Sequence, residues 1–206
     1  EGTVLSFAHG QSPAKNRNLM IEQALENDCT HIFFVDDDMA FKPDALTSLL
    51  AHDKDIVSGM YLMRNFPHQP LVFDHANEDG KCHWMNIPPE TTGLIEVVGM
   101  GFGCCLIKTE IFKAMEKPWV RLGELDPEGW CDDLGFFKRV REMNRFKMYV
   151  DLNIMVGHMA NCIIWPERAA NKWNVSYDTL GTSRVTFPFV QLVDGDDGIT
   201  RANSTN

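Results

Sequence analysis

The apolar run His31-Ile32-Phe33-Phe34-Val35 stops at three consecutive carboxylates, Asp36-Asp37-Asp38. Phe33, Phe34 and Val35 read as a short strand buried on both faces, the kind found in parallel sheets. Open α/β sheets bind ligands just outside the carboxyl ends of their strands. Three adjacent acids at such an end repel one another, and a divalent cation is the simplest species to offset them. Asp36 and Asp38 alternate, so an extended backbone sends both to one side. Paired hard oxygens suit magnesium or manganese held between protein and a phosphorylated ligand. The plainer alternative is an acid-rich helix start, because Lys42-Pro43-Asp44 opens a helix soon after. Asp44 fits that role, but it leaves the three preceding acids unexplained.

The chain has 206 residues, enough for a single domain, and 44% hydrophobic content, enough for a substantial core. Its net charge of -10 argues against nucleic acid or an anionic membrane surface as the main partner. An anionic ligand would need a local cation to bind such a chain. The longest apolar stretch, 97–107, is too short and glycine-rich to span a bilayer. The start, Glu1-Gly2-Thr3, has neither an initiator Met nor the basic region of a signal peptide, and reads as trimmed or processed. None of the six cysteines forms a Cys-x-x-Cys pair, so zinc is not indicated. Disulfides stay open, with a reducing, cytoplasmic compartment as the default. The sequons at Asn174 and Asn203 weigh little against it.

Along the chain, 4–8 reads as a first strand, 18–26 as a helix, 43–52 as a short helix and 55–59 as another strand. The pattern dissolves over 65–92, where Leu71-Val72-Phe73 and Cys82-His83-Trp84 read as two strands of a hairpin. Gly99, Gly101 and Gly103 alternate in an extended segment, which lets a backbone or ligand come close. Thr109 is placed to N-cap a helix over 110–115. A polar loop over 118–130 leads to Asp132-Asp133 and a helix over 134–144 with Leu134, Phe137 and Val140 on its apolar face. Capping is the plain role for the two acids. Strands follow at 147–151 and 154–158, the latter ending in His158. Beyond Trp165 the signal weakens, and 191–206 reads as a flexible tail after a single domain over 1–190.

Several blocks stand in one order: Asn16-Arg17-Asn18-Leu19, the strand with Asp36-Asp37-Asp38, Val57-Ser58-Gly59-Met60-Tyr61, Gly101-Phe102-Gly103, Asp132-Asp133-Leu134-Gly135, and Val156-Gly157-His158. Over roughly residues 14 to 160 this resembles the GT-A fold glycosyltransferases, particularly family-2-like enzymes. The resemblance implies an α/β fold with a mostly parallel, Rossmann-like central sheet flanked by helices and a small antiparallel hairpin. It implies an inverting transfer of a sugar from a UDP- or GDP-sugar to the hydroxyl of a glycan, lipid or protein acceptor. By the same resemblance Asp36 and Asp38 match the Asp-x-Asp motif that holds Mn2+ or Mg2+, and His158 a late histidine that completes the metal shell. Asp133 matches the general base. Arg17, Asn18, Asp36 and Asp37 match positions near the nucleotide, and Arg64 a loop that reaches phosphates. Family members have a longer nucleotide-binding half before the motif, which in this chain is short or truncated.

The residues also admit other readings. Trp84, Trp119 and Trp130 are candidate sugar platforms, against the commoner buried role. A nucleotidyltransferase or phosphohydrolase would gather further Lys or Arg near the acids, where the sequence shows only Lys42 close by. A non-catalytic nucleotide- or sugar-binding relative is the third reading.

Overall fold

The computed structural model describes residues 2–77, 82–122, 131–169, 171–179 and 184–188. The chain opens with α1 (Pro13–Glu26), β1 (His31–Val35), β2 (Met39–Ala40), α2 (Ala45–Ala51) and β3 (Ile56–Met60). It continues through β4 (Val72–Ala76), β5 (Cys82–Trp84), β6 (Leu94–Val97), β7 (Gly99–Met100), β8 (Cys104–Lys108) and α3 (Thr109–Lys113). Then come α4 (Asp132–Glu142), β9 (Met148–Met155), β10 (Gly157–Met159), β11 (Ile163–Ala169), β12 (Lys172–Asp178) and β13 (Arg184–Pro188).

The expected mostly parallel sheet is not what forms. Of the described residues 36% are strand and 22% helix, arranged in one mixed and two antiparallel sheets. In the central sheet, ordered β1-β8-β3-β9-β6, only β3 and β9 run parallel. A second sheet runs β13-β12-β11-β10-β2, and a small third one β5-β4-β7. The reason lies in the connections. Parallel neighbours need long crossovers, usually helical. Here β4 to β8 follow one another without a helix between them.

The strand leading to the acids illustrates the correction. β1 lies at the sheet edge and pairs antiparallel with β8, Phe34 opposite Cys105. It buries Ile32 and Phe34 on one face, while on the other Phe33 is only partly covered and Val35 is 40% exposed. The continuous burial expected of a central strand belongs instead to β3, buried at all five positions.

The 4–8 segment forms no strand. Leu5 and Phe7 are about four-fifths exposed, at 77% and 81%. Strand propensity expresses fit against a partner strand, and this segment has no ladder partner among the described residues. Thr109 does not cap α3 with its side chain. It lies inside the helix and its hydroxyl donates to the Cys29 carbonyl at 2.7 Å. The expected hairpin of β4 and β5 does form, with His75 opposite His83. The β11–β12 hairpin lies where the sequence signal weakens. Alternating Trp173, Val175 and Tyr177 were its legible trace. The flexible tail expected over 191–206 lies outside the described residues.

One aromatic cluster positions the helix that carries the second acid pair. Phe102, Phe112, Phe136 and Phe137 are fully buried, and Phe102 sits 5.2 Å from the rings of both Phe136 and Phe137. Each such burial stabilises by about 1.5–3 kcal/mol. Phe136, Phe137 and Val140 are the buried residues of α4, rather than the Leu134, Phe137 and Val140 face of the sequence pattern. No disulfide links the cysteines. Among the described residues no helix is long and apolar enough to cross a membrane.

Candidate active site

β1 delivers its acids into a turn. The Asp36 amide donates to the Gly103 carbonyl at 3.2 Å, and the Met39 amide to the Asp36 carbonyl at 3.2 Å. β2 then pairs with β10, setting Met39 opposite His158, and the Met159 amide donates to the Asp38 carbonyl at 2.7 Å. This short ladder is what brings His158 to Asp38, 120 positions earlier in the sequence.

The extended geometry expected of Asp36 and Asp38 is replaced by that turn, and the two side chains have different partners. Asp38 Oδ2 lies 2.9 Å from Arg64 Nη1 and 3.4 Å from His158 Nε2. His158 Nδ1 sits 2.7 Å from the Leu62 carbonyl, which can only accept, so Nδ1 carries the proton. In the neutral ring the Nε2 lone pair therefore faces a carboxylate. Two acceptors so placed are held together by a proton or by a cation between them. Among the described residues no group of three or more His, Cys, Asp or Glu side chains is gathered as a metal cage. The donor types nonetheless suit a hard divalent ion, with a carboxylate oxygen and an imidazole whose other nitrogen is fixed by a carbonyl.

Asp36 belongs to a different network. Arg17 lies on the inner face of α1 with Ala14 and Ile21, at helical spacing, and is only 6% exposed. Its Nη2 donates to Asp36 Oδ1 at 2.8 Å, its Nη1 pairs with Asp132, and its guanidinium lies 4.6 Å over the Phe102 ring. Burial works against the Arg17 charge, but Asp133, Asp132 and Asp36 outweigh it and hold the group charged. Burial raises the Asp36 carboxyl, while Arg17 opposes the rise.

Asp132 and Asp133 occupy the first turn of α4, whose N-cap is Cys131 without a side-chain capping bond. Neither acid is the N-cap residue, but both lie in the first turn, where negative charge is favourable. Asp133 is pushed up to about 8 by burial, by the neighbouring Asp132 charge and by a hydrogen bond to Asp132, against the pull of Arg17. Its Oδ2 accepts from the Phe102 amide at 3.4 Å.

The alternating glycines find their reason at this point. A Cβ on Gly101 would lie 2.0 Å from the Tyr61 hydroxyl and 3.3 Å from Asp133 Oδ2. The Gly103 amide donates to the Tyr61 hydroxyl at 2.9 Å. The glycines admit a buried tyrosine rather than a backbone, and Tyr61 was not among the expected site residues. Its ring also meets His158 edge-on at 5.7 Å, so it separates the Asp38 and Asp133 sides of the site. Burial, then Asp133, holds its hydroxyl well above the usual phenol range.

The remaining expected residues sort by their contacts. Asn18 uses its amide to hold the chain after α3, donating to the Ala14 and Val120 carbonyls and accepting from the Trp119 amide. Asp37 is exposed in the turn. Trp119 is buried, with its indole donating to the Phe112 carbonyl at 2.8 Å, which excludes it as a sugar platform in this conformation. Trp84 stacks on Phe73 with centroids 4.6 Å apart. Trp130 lies outside the described residues.

No family model matches the chain, and no curated protein does. Among solved structures the chain is similar to A197 from STIV, with a TM-score of 0.57 and 18% identity over 86% of this chain and 81% of that one. At that identity the likeness concerns the fold alone.

Proposed function

We propose that this chain is a divalent-cation-dependent glycosyltransferase that moves a sugar from a nucleoside diphosphate donor to an acceptor hydroxyl. The observation that carries the reading is that one buried arginine, Arg17, ties the acid turn at Asp36 to the acid pair at Asp132. An outer site presents Asp38 and His158 Nε2 to a common point, and an inner one holds Asp133 with a raised affinity for protons. The ordered blocks that resemble family-2-like glycosyltransferases support it. The fold class drawn from that resemblance has been set aside, so the proposal rests on the site.

Asp38 and His158 would hold Mn2+ or Mg2+. A bound divalent ion neutralises the charge that develops on a departing diphosphate. In its ionised form, which prevails above about pH 8, Asp133 takes the proton of the acceptor hydroxyl onto its carboxylate as that oxygen attacks the anomeric carbon and the nucleoside diphosphate leaves. A carboxyl held near pH 8 is a stronger base than an ordinary one once ionised. Direct attack opposite the leaving group inverts the anomeric centre. Arg17 ties Asp36 to Asp132 and, with its donors engaged by both, is not a free phosphate ligand.

Calorimetry with UDP and GDP, in Mn2+ and in chelator, tests the donor site on wild type and Asp38→Asn. Binding that requires both the cation and Asp38 supports the reading. Equal binding by Asp38→Asn removes it. A nucleotidyltransferase or phosphohydrolase is the second reading, favoured by the two arginines that the fold brings to the acids. Its products differ: release of inorganic phosphate or pyrophosphate, with no sugar transferred, would select it.

A further inference from the structure

The Asp38–Arg64 contact has a bearing on how the outer site fills. Arg64 follows β3 at the base of a closed loop. Leu62 bridges to Pro70, the Met63 amide donates to the Gln69 carbonyl at 2.9 Å, and the His68 amide donates to the Asn65 carbonyl at 2.9 Å. His68 Nδ1 adds a further tie to the Met63 carbonyl at 2.9 Å. The loop backbone is thus pinned, while the Arg64 side chain is 54% exposed. Its Nη1 occupies a position 2.9 Å from Asp38 Oδ2, the same oxygen that faces His158 Nε2 at 3.4 Å. A cation shared by Asp38 and His158 would have to sit where the guanidinium's charge now acts.

We infer that Arg64 is a specificity-determining residue that holds the cation position closed until a diphosphate arrives to take the guanidinium away. The inference rests on the proposed cation site. Exposed arginine–carboxylate pairs are weak, so the exchange is cheap. A diphosphate offers Arg64 a bidentate partner of higher charge than Asp38 does. Arg64 then serves as a phosphate ligand, and Asp38 is released to the metal. Cation and nucleoside diphosphate consequently favour each other, and the coupling is reciprocal. Free Mn2+ or a free monovalent anion gains little from the site alone.

The test is Mn2+ binding followed by electron paramagnetic resonance on wild type, Arg64→Gln and Arg64→Lys. UDP or GDP binding at saturating Mn2+ is measured by calorimetry on the same proteins. Arg64→Gln is expected to bind Mn2+ alone about fivefold tighter or more, the lower end of ordinary coupling, and to bind the nucleotide severalfold more weakly. Arg64→Lys, which keeps the charge but not the fork, is expected to fall between. Opposite signs for the two ligands are the signature, because a merely structural role would weaken both. If Arg64→Gln leaves Mn2+ affinity within about twofold of wild type, or leaves nucleotide affinity unchanged, the inference is overturned while the cation site stands. If neither wild type nor Arg64→Gln binds Mn2+ in a way that Asp38→Asn abolishes, the cation site itself fails and the inference with it.

Discussion

The acid turn after β1 and the acid pair that opens α4 use the same chemistry in different surroundings. Asp36 and Asp38 keep side chains 39% and 25% exposed, and the arginine on Asp38 is itself half in solvent. Asp132 is 14% exposed, and the arginine it shares with Asp36 is 8% exposed over an aromatic ring. Charge on Asp38 can exchange partners at little cost. Charge in the pair cannot, so Asp133 retains a proton instead. A site that must accept and release a cation suits the first environment, and a site that must hold and move a proton suits the second.

The largest effect expected on this contrast comes from Arg17→Leu, which removes the charge common to both. Leaving Asp36 and Asp132 without their buried partner should cost about 3–5 kcal/mol in urea unfolding. A loss below about 1 kcal/mol would show that the aromatic cluster alone holds α4 in place.

Asp133→Asn sharpens the contrast through pH. The folded protein keeps the Asp133 proton up to about pH 8, whereas an unfolded carboxyl releases it near 3.8. Folded molecules therefore bind more protons across that window, and wild-type stability falls as pH rises through it. The variant lacks this loss. It should match wild type below pH 4 and exceed it by roughly 1–3 kcal/mol at pH 9. Nucleotide binding should survive while transfer is lost. Parallel stability curves for the two proteins would show that Asp133 is an ordinary carboxylate.

The smallest effect belongs to Asp37→Ala. An exposed acid in the turn should leave stability within about 0.5 kcal/mol. It should weaken Mn2+ binding by less than about threefold, as a nearby charge rather than a ligand. A larger loss, read by the same resonance titration, would move Asp37 into the cation's shell.

The sequence by itself determined local features: the apolar run that ends in acids, a helix over 18–26 that the structure extends back to Pro13, and the β4–β5 hairpin. It also marked 101 and 103 as close-approach positions, since only glycine tolerates a group 2.0 Å from its Cβ site. These follow from side-chain period and backbone sterics, which act within a few residues. Tertiary structure decided the rest. The apolar run of β1 says nothing of whether one face or two will be covered, so the edge position and antiparallel pairing were not legible in it. Arg17, Arg64 and His158 reach the acids only through an α1–β1 packing, a closed loop and the β2–β10 ladder. A carboxylate's proton affinity is set by the charges and solvent around it, and a chain written in one dimension does not carry those distances.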